Sequence, residues 1–446
     1  MSDVQGFPYF EFQVGKGGEV IDPAERQRAL DFFAGGQVTD MVVMSHGWNN
    51  DMDQARALYD RFLAETRKLL TAGTPSLGTR KLGVLAVLWP SKKFADDDLI
   101  PGQAASVNSS GMIKALDKQM VALLGGFDAP DADDKLTQAR ALLPKLADSP
   151  QAQRDFVNLV RGLLGAPPAN DEGANDQFFN LDGDKLLGKL KEPVILPRVV
   201  GAGTVGGAQS LGTAAGAGGV SGGAASIGSF FSGIASAANN LLNLTTYYQM
   251  KERAGVLGRG TAAALVREIA SSPKAPKVHM WGHSFGCRLV TSVALGPDDQ
   301  PPATYASMTL LQAAFSHNGF SDGSDKHPKG FFRDVVNAPP RISGPIVITH
   351  TGNDRAVGLA YPLASRLAGQ EATALGDPGD KYGGLGRNGA QGTPEAVMQN
   401  FGNVGTAYGF KSGRIYNLMA DKVIFGHSDI VHPETAYAFL SAVAAT

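Results

Sequence analysis

Cysteine is almost absent from this chain of 446 residues, where Cys287 stands alone. One thiol cannot close an internal disulfide, so the fold does not depend on an oxidising compartment, and no cysteine-based metal framework exists. An excess of either charge is lacking too, with 40 Lys and Arg against 42 Asp and Glu. The resulting net charge of −2 offers no electrostatic footprint for nucleic acid or an anionic membrane, and nucleic acid is not an expected partner. Between Met1 and Val20 there is no basic stretch leading into an apolar one, so no signal peptide is expected. The chain reads as cytoplasmic, with leaderless export left open. Oligomeric state has no signature in the sequence.

Strongly hydrophobic long runs are missing as well. The longest uncharged tract, Val199 to Met250, is built mainly from Gly, Ala and Ser with few Leu or Ile, which argues against a membrane span. A flexible lid, small-residue helix packing or an interfacial patch is expected, and the last would allow membrane-surface contact through 199–250. Gly201, Gly203 and Gly206 match the dinucleotide pattern G-x-G-x-x-G, but Pro197 disfavours the strand that must precede it. No acidic residue follows until Glu252, so nothing is placed to hold a ribose. Asn180, Asp182 and Asp184 hint at a calcium loop, yet Lys185 stands where that loop needs glycine, and a polar turn before a helix is expected instead. No metal and no organic cofactor is expected.

On either side of this middle, strand and helix signals alternate. Phe7, Tyr9, Phe10 and Phe12 read as an early strand, Met41 to Ser45 and Leu82 to Trp89 as buried strands, and Gln54 to Leu70 as the helix between them. After the middle come helix Thr261 to Ala270, strand Val278 to Trp281, helix Cys287 to Leu295, and strands Ser307 to Gln312, Ile346 to Thr349 and Arg414 to Met419. A final helix starts at Pro433, and Gly376 to Gly405 reads as a loop excursion near the sheet's edge. The pattern predicts an α/β fold with a mostly parallel sheet covered on both faces. Residues 1–90 and 251–446 form its two parts, interrupted by an insertion or cap over 91–250.

Gly282-His283-Ser284-Phe285-Gly286 lies between the apolar run KVHMW and the helical run CRLVTSVAL. This is the G-x-S-x-G nucleophile elbow in its required strand-turn-helix context, with Gly282 and Gly286 relieving crowding around Ser284. A serine needs a histidine to take its proton, and the histidine needs a carboxylate to orient it. Asp354, just past a predicted strand, is the expected acid, and His427, between the last strand and last helix, the expected base. His432 is the alternative base, although its place before Pro433 also suits a helix N-terminus, and Asp429 is expected to orient the loop. The oxyanion requires two preorganised donors, expected to be the backbone N–H groups of Phe285 and Trp48. Gly47 would let the backbone approach, His46 and Asn49 or Asn50 would shape the turn, and Cys287 would pack as a small apolar residue.

The segments SHGWNNDMDQA, LWPS, WGHSFGCRLV, GNDRAVGLA and FGHSDI together resemble the α/β-hydrolase superfamily, and within it a bacterial branch of uncharacterised hydrolases. The resemblance spans roughly Asp40 to Ser91 and Val278 to His432, and the insertion before the elbow is larger than that branch commonly has. It implies an α/β-hydrolase fold and acyl transfer to Ser284 with His427 and Asp354, acting on a small-molecule or lipid carboxylic ester. An amidase, peptidase or thioesterase would use the same residues. A membrane-acting phospholipase or toxin, and a non-catalytic binding protein on the same fold, are the readings from other classes.

Overall fold

The computed structural model describes residues 2–48, 50–91, 109–165, 176–191, 233–324, 329–354 and 383–446. Nine strands form one sheet: β1 (Ser2–Val4), β2 (Phe7–Gln13), β3 (Asp40–Ser45), β4 (Leu82–Leu88), β5 (Lys277–His283), β6 (Ser307–Leu311), β7 (Ile346–His350), β8 (Ala396–Asn400) and β9 (Ile415–Met419). Their spatial order is β1-β2-β4-β3-β5-β6-β7-β9-β8. Only the β1–β2 pair is antiparallel. Every residue of β3, β4, β6 and β7 is buried, as continuous apolar strands in a sheet covered on both faces must be.

Alternation along each strand splits the core in two. Met41, Val43, Leu85 and Val87 face one cluster, while Val42, Met44, Val84, Ala86 and Leu88 face the other. The second cluster is closed by α2 (Met52–Thr71) and by α13 (Pro433–Ala444), the chain's last helix. Helix α2 starts at Asp51, whose carboxylate accepts from Gln54 N–H while the Gln54 side chain accepts from Asp51 N–H. Its Phe62 ring lies 4.7 Å from that of Trp281 and 5.9 Å from that of Phe439, all fully or nearly fully buried.

The first cluster is closed by α1 (Pro23–Ala34) and by the helices of the middle of the chain: α3 (Ser109–Ala122), α4 (Ala132–Leu142), α5 (Pro150–Arg161), α6 (Asp176–Asn180), α7 (Gly183–Leu190) and α8 (Ile234–Leu257). A π-helical turn, Gly258–Ala262, joins α8 to α9 (Ala263–Ala270). The expected boundary at residue 250 falls inside α8, which continues without a break. A side chain at Gly258 would come within 2.4 Å of Leu289 O on α10 (Phe285–Leu295), so glycine is what allows α8 and α10 to pack this closely. The nearly buried Arg253 of α8 donates to Asp128, Gly126 O and Pro90 O, tying the middle helices to the end of β4.

Two expectations change. Of the three forms expected for the uncharged tract, residues 234–250 take the packed helix and not a lid or surface patch, because Leu241, Leu242, Leu244, Tyr247 and Tyr248 supply buried apolar area. The tract's residues 199–232 and the Gly201-Gly203-Gly206 pattern lie outside the described residues. The segment expected as a loop excursion contributes α12 (Leu385–Asn388) and the edge strand β8, paired parallel to β9. None of its five residues is buried, so the mixed sequence AVMQN of this edge strand carries no buried-strand signal. A short helix, α11 (Arg333–Val336), follows β6. No described helix is long and apolar enough to cross a membrane.

Phe62→Ala would empty the junction of α2, β5 and α13. It is expected to lower stability by about 3–5 kcal/mol, measured as a fall in the urea midpoint.

Candidate active site

Ser284 stands alone between β5 and α10, with φ 56° and ψ −124°. A left-handed residue with a Cβ costs roughly 1–2 kcal/mol and persists only where its surroundings fix it. Here Ser284 N–H donates to Leu311 O at 3.1 Å, and Ser284 O accepts from Cys287 N–H at 3.1 Å and Ala314 N–H at 3.2 Å. The flanking glycines are sterically required. A Cβ on Gly286 would lie 2.1 Å from Ser45 O, and one on Gly282 would lie 2.6 Å from Cys287 N.

Three residues far apart in the chain meet at the carboxyl ends of the strands. Ser284 Oγ is 2.7 Å from His427 Nε2, and His427 Nδ1 is 2.9 Å from Asp354 Oδ2. The carboxylate can only accept, so Nδ1–H donates to it and Nε2 is left to accept from the serine hydroxyl. Asp354 has no exposed surface, whereas the His427 side chain keeps 15% of its own. This tautomer can take the serine proton and place the resulting cation against a carboxylate.

The turn after β3 closes over the serine. A Cβ on Gly47 would stand 2.6 Å from Ser284 Cβ and 3.1 Å from Oγ, so glycine there lets the Gly47–Trp48 turn touch the hydroxyl. Trp48 packs its ring 6.0 Å from that of Phe285, whose N–H is the first amide of α10 and has no acceptor within the helix. Asn50 Nδ2 donates to Gly47 O and Trp48 O, holding the turn; Asn49 lies outside the described residues. Trp89 N–H donates to His46 Nε2 at 3.2 Å, which leaves Nδ1–H to donate to Gly47 O at 3.0 Å. Burial lowers this imidazole to about 4, fixing it as a neutral brace. The His46 N–H is itself taken by Tyr59 Oη at 2.7 Å.

The other candidates occupy supporting places. His432 lies before α13 and pairs with Asp429 Oδ1 at 2.9 Å, while Asp429 Oδ2 accepts from Phe425 N–H at 2.9 Å. Asp429 thus braces the turn that carries His427. Cys287 is buried, with its thiol pushed up by that burial. Among the described residues no group of His, Cys, Asp and Glu is placed to hold a metal ion.

Sequence reasoning missed three contributors. His283, the variable residue of the elbow, donates from Nε2 to His427 O at 2.9 Å and joins the serine's turn to the histidine's. Gln312 directly follows β6 and reaches Asp354 with its side-chain amide. Tyr59 links the ends of β3 and β4 by donating to Val87 O at 2.8 Å. A polar residue closing an apolar strand at the carboxyl edge was the available signal for Gln312; His283 and Tyr59 read as motif filler and helix core.

No protein-family model matches the chain, and neither a curated protein nor a solved structure does.

Burial lowers His283 to about 3 and His46 to about 4, from an ordinary 6.5. The unfolded chain takes up these protons first, so stability is complete above pH 6.5 and declines as pH falls toward those values, by about 1.4 kcal/mol per pH unit for each histidine. Urea midpoints of the wild type are therefore expected to fall between pH 7 and pH 5. In His283→Gln, which keeps an amide donor but cannot titrate, that acid decline should be shallower.

Proposed function

We propose that this chain is an α/β-hydrolase-type serine hydrolase that cleaves carboxylic esters through an acyl-enzyme on Ser284. The observation that carries the reading is the Asp354–His427–Ser284 relay, at 2.9 and 2.7 Å, with the serine on a left-handed strand-to-helix turn. The chain order serine, acid, histidine and the parallel sheet flanked by helices support the fold assignment.

In this reaction Ser284 Oγ attacks the ester carbonyl as its proton passes to His427 Nε2. The carbonyl oxygen gains the negative charge, and the N–H groups of Phe285 and Trp48 are its assigned donors. Collapse breaks the ester C–O bond, and His427 returns the proton to the departing alcohol. Water then attacks the acyl-enzyme with His427 as base and frees the acid. Asp354 holds the imidazole orientation throughout and faces its cation.

A fluorophosphonate probe tests the nucleophile without a substrate. The wild type is expected to take one adduct on Ser284 by peptide mass spectrometry, and Ser284→Ala none. Asp354→Asn, which favours the wrong histidine tautomer, is expected to slow labelling by roughly 10⁴-fold. His432→Ala should label at the wild-type rate. A folded wild type that stays unlabelled would overturn the reading; where Ser284 is labelled, a panel of esters, thioesters and amides separates the acyl classes.

A further inference from the structure

Among the described residues, three without a glycine's freedom have positive φ: Gln5, Ser284 and Gln312, at 53°, 56° and 47°. Gln5 is exposed in the turn between β1 and β2, where such a conformation is ordinary. Ser284 is accounted for by the elbow. Gln312 has no exposed surface and directly follows β6, so its strain is held by the interior and calls for its own explanation.

The kink at Gln312 sends the backbone one way and the side chain another. On either side of it the backbone clasps the serine, through Ser284 N–H to Leu311 O and Ala314 N–H to Ser284 O. The side chain turns to the acid instead. Gln312 Nε2 donates to Asp354 Oδ2 at 3.1 Å and to Gly386 O at 2.9 Å, and Oε1 accepts from Thr349 Oγ1 at 3.0 Å. Gln312 N–H donates to the same hydroxyl at 3.2 Å. These partners permit one amide orientation, because a flipped amide would set its oxygen against a carboxylate and a carbonyl. Gly386 presses on the kink, where a Cβ would lie 2.5 Å from Gln312 C. Oδ2 is also the oxygen that accepts from His427.

We propose that Gln312 is a positioning residue, whose kinked backbone sets Ser284 while its side-chain amide locks the Asp354 carboxylate with Oδ2 aimed at His427. The proposal rests on the serine hydrolase reading, since Gln312 acts through Asp354 and His427. Its consequence is that nucleophile and acid move as one piece: a change that rotates the carboxylate also disturbs the turn holding the serine.

The test is the rate of fluorophosphonate labelling in Gln312→Leu, which keeps the volume and the strain but loses the donor. In the wild-type background the rate is expected to fall about 10- to 100-fold, the scale of a misplacement near 1 Å. In an Asp354→Ala background, followed over longer times, the same change is expected to matter less than about twofold, as coupled residues behave. The low-field proton resonance of the His427 Nδ1–H, followed by NMR, is expected to move in the single variant, which a purely structural role would leave in place. If Gln312→Leu does not fold, Gln312→Gly accepts the backbone angle and removes the same donor, with the same expected loss. A folded variant labelling at the wild-type rate, or equal losses with and without Asp354, overturns the proposal alone. A wild type that takes no label sinks the hydrolase reading and this proposal with it.

Discussion

A carboxyl group with no contact with water has to find its hydrogen bonds inside the protein, and the arrangement around Asp354 follows from that requirement. One oxygen takes His427 and Gln312 together. Meeting both donors at once demands that the ends of β6 and β7 and the turn before α13 converge. The parallel sheet makes this possible by bringing the carboxyl ends of its central strands to one edge, with β3, β5, β6 and β7 in continuous register. Thr351 and Gly352 hold the start of the Asp354 turn to Asp421, and Asn353 reaches Asp421 O and Ile424 O, so the loops carrying Asp354 and His427 brace each other.

The opposite end of the sheet carries a second buried polar group. Asp40 of β3 accepts from Arg80 and pairs with His279 of β5, whose other nitrogen meets Ser307 of β6 at 2.7 Å. Hydrogen bonds from Arg80 and His279 overcome burial and hold the Asp40 carboxyl well below the usual carboxylate range. The three strands that must align at the serine are therefore pinned at their far ends as well. Breaking one member of such a group leaves an uncompensated buried charge, which costs far more than the intact pair contributes.

Much of this was legible in the sequence where local signals and long-range geometry agree. Continuous apolar strands identified the parallel sheet, and the elbow glycines marked a turn at which side chains cannot fit. Ser284, Asp354 and His427 could be chosen because their chemistry needs a fixed order of residue types at strand ends, and the structure brings those three together. What escaped depends on distance through space. Gln312 is an ordinary glutamine until Asp354, forty-two positions away, is folded against it. β8 is hidden because an exposed edge strand need not be apolar, and α8 because its Gly-rich approach masks the apolar residues that follow.

Helix α8 gives the middle of the chain a divided character. Its Tyr247 ring lies 5.1 Å from that of Phe285 and 6.5 Å from that of Trp48, so it forms a wall against the elbow helix and the turn after β3. Arg288 of the elbow helix donates to Lys251 O on the same wall. Masonry of this kind is not a door. The rings of Trp48, Tyr247 and Phe285 form one packed corner, so the turn after β3 and the start of the elbow helix owe their places to a helix drawn from the middle of the chain.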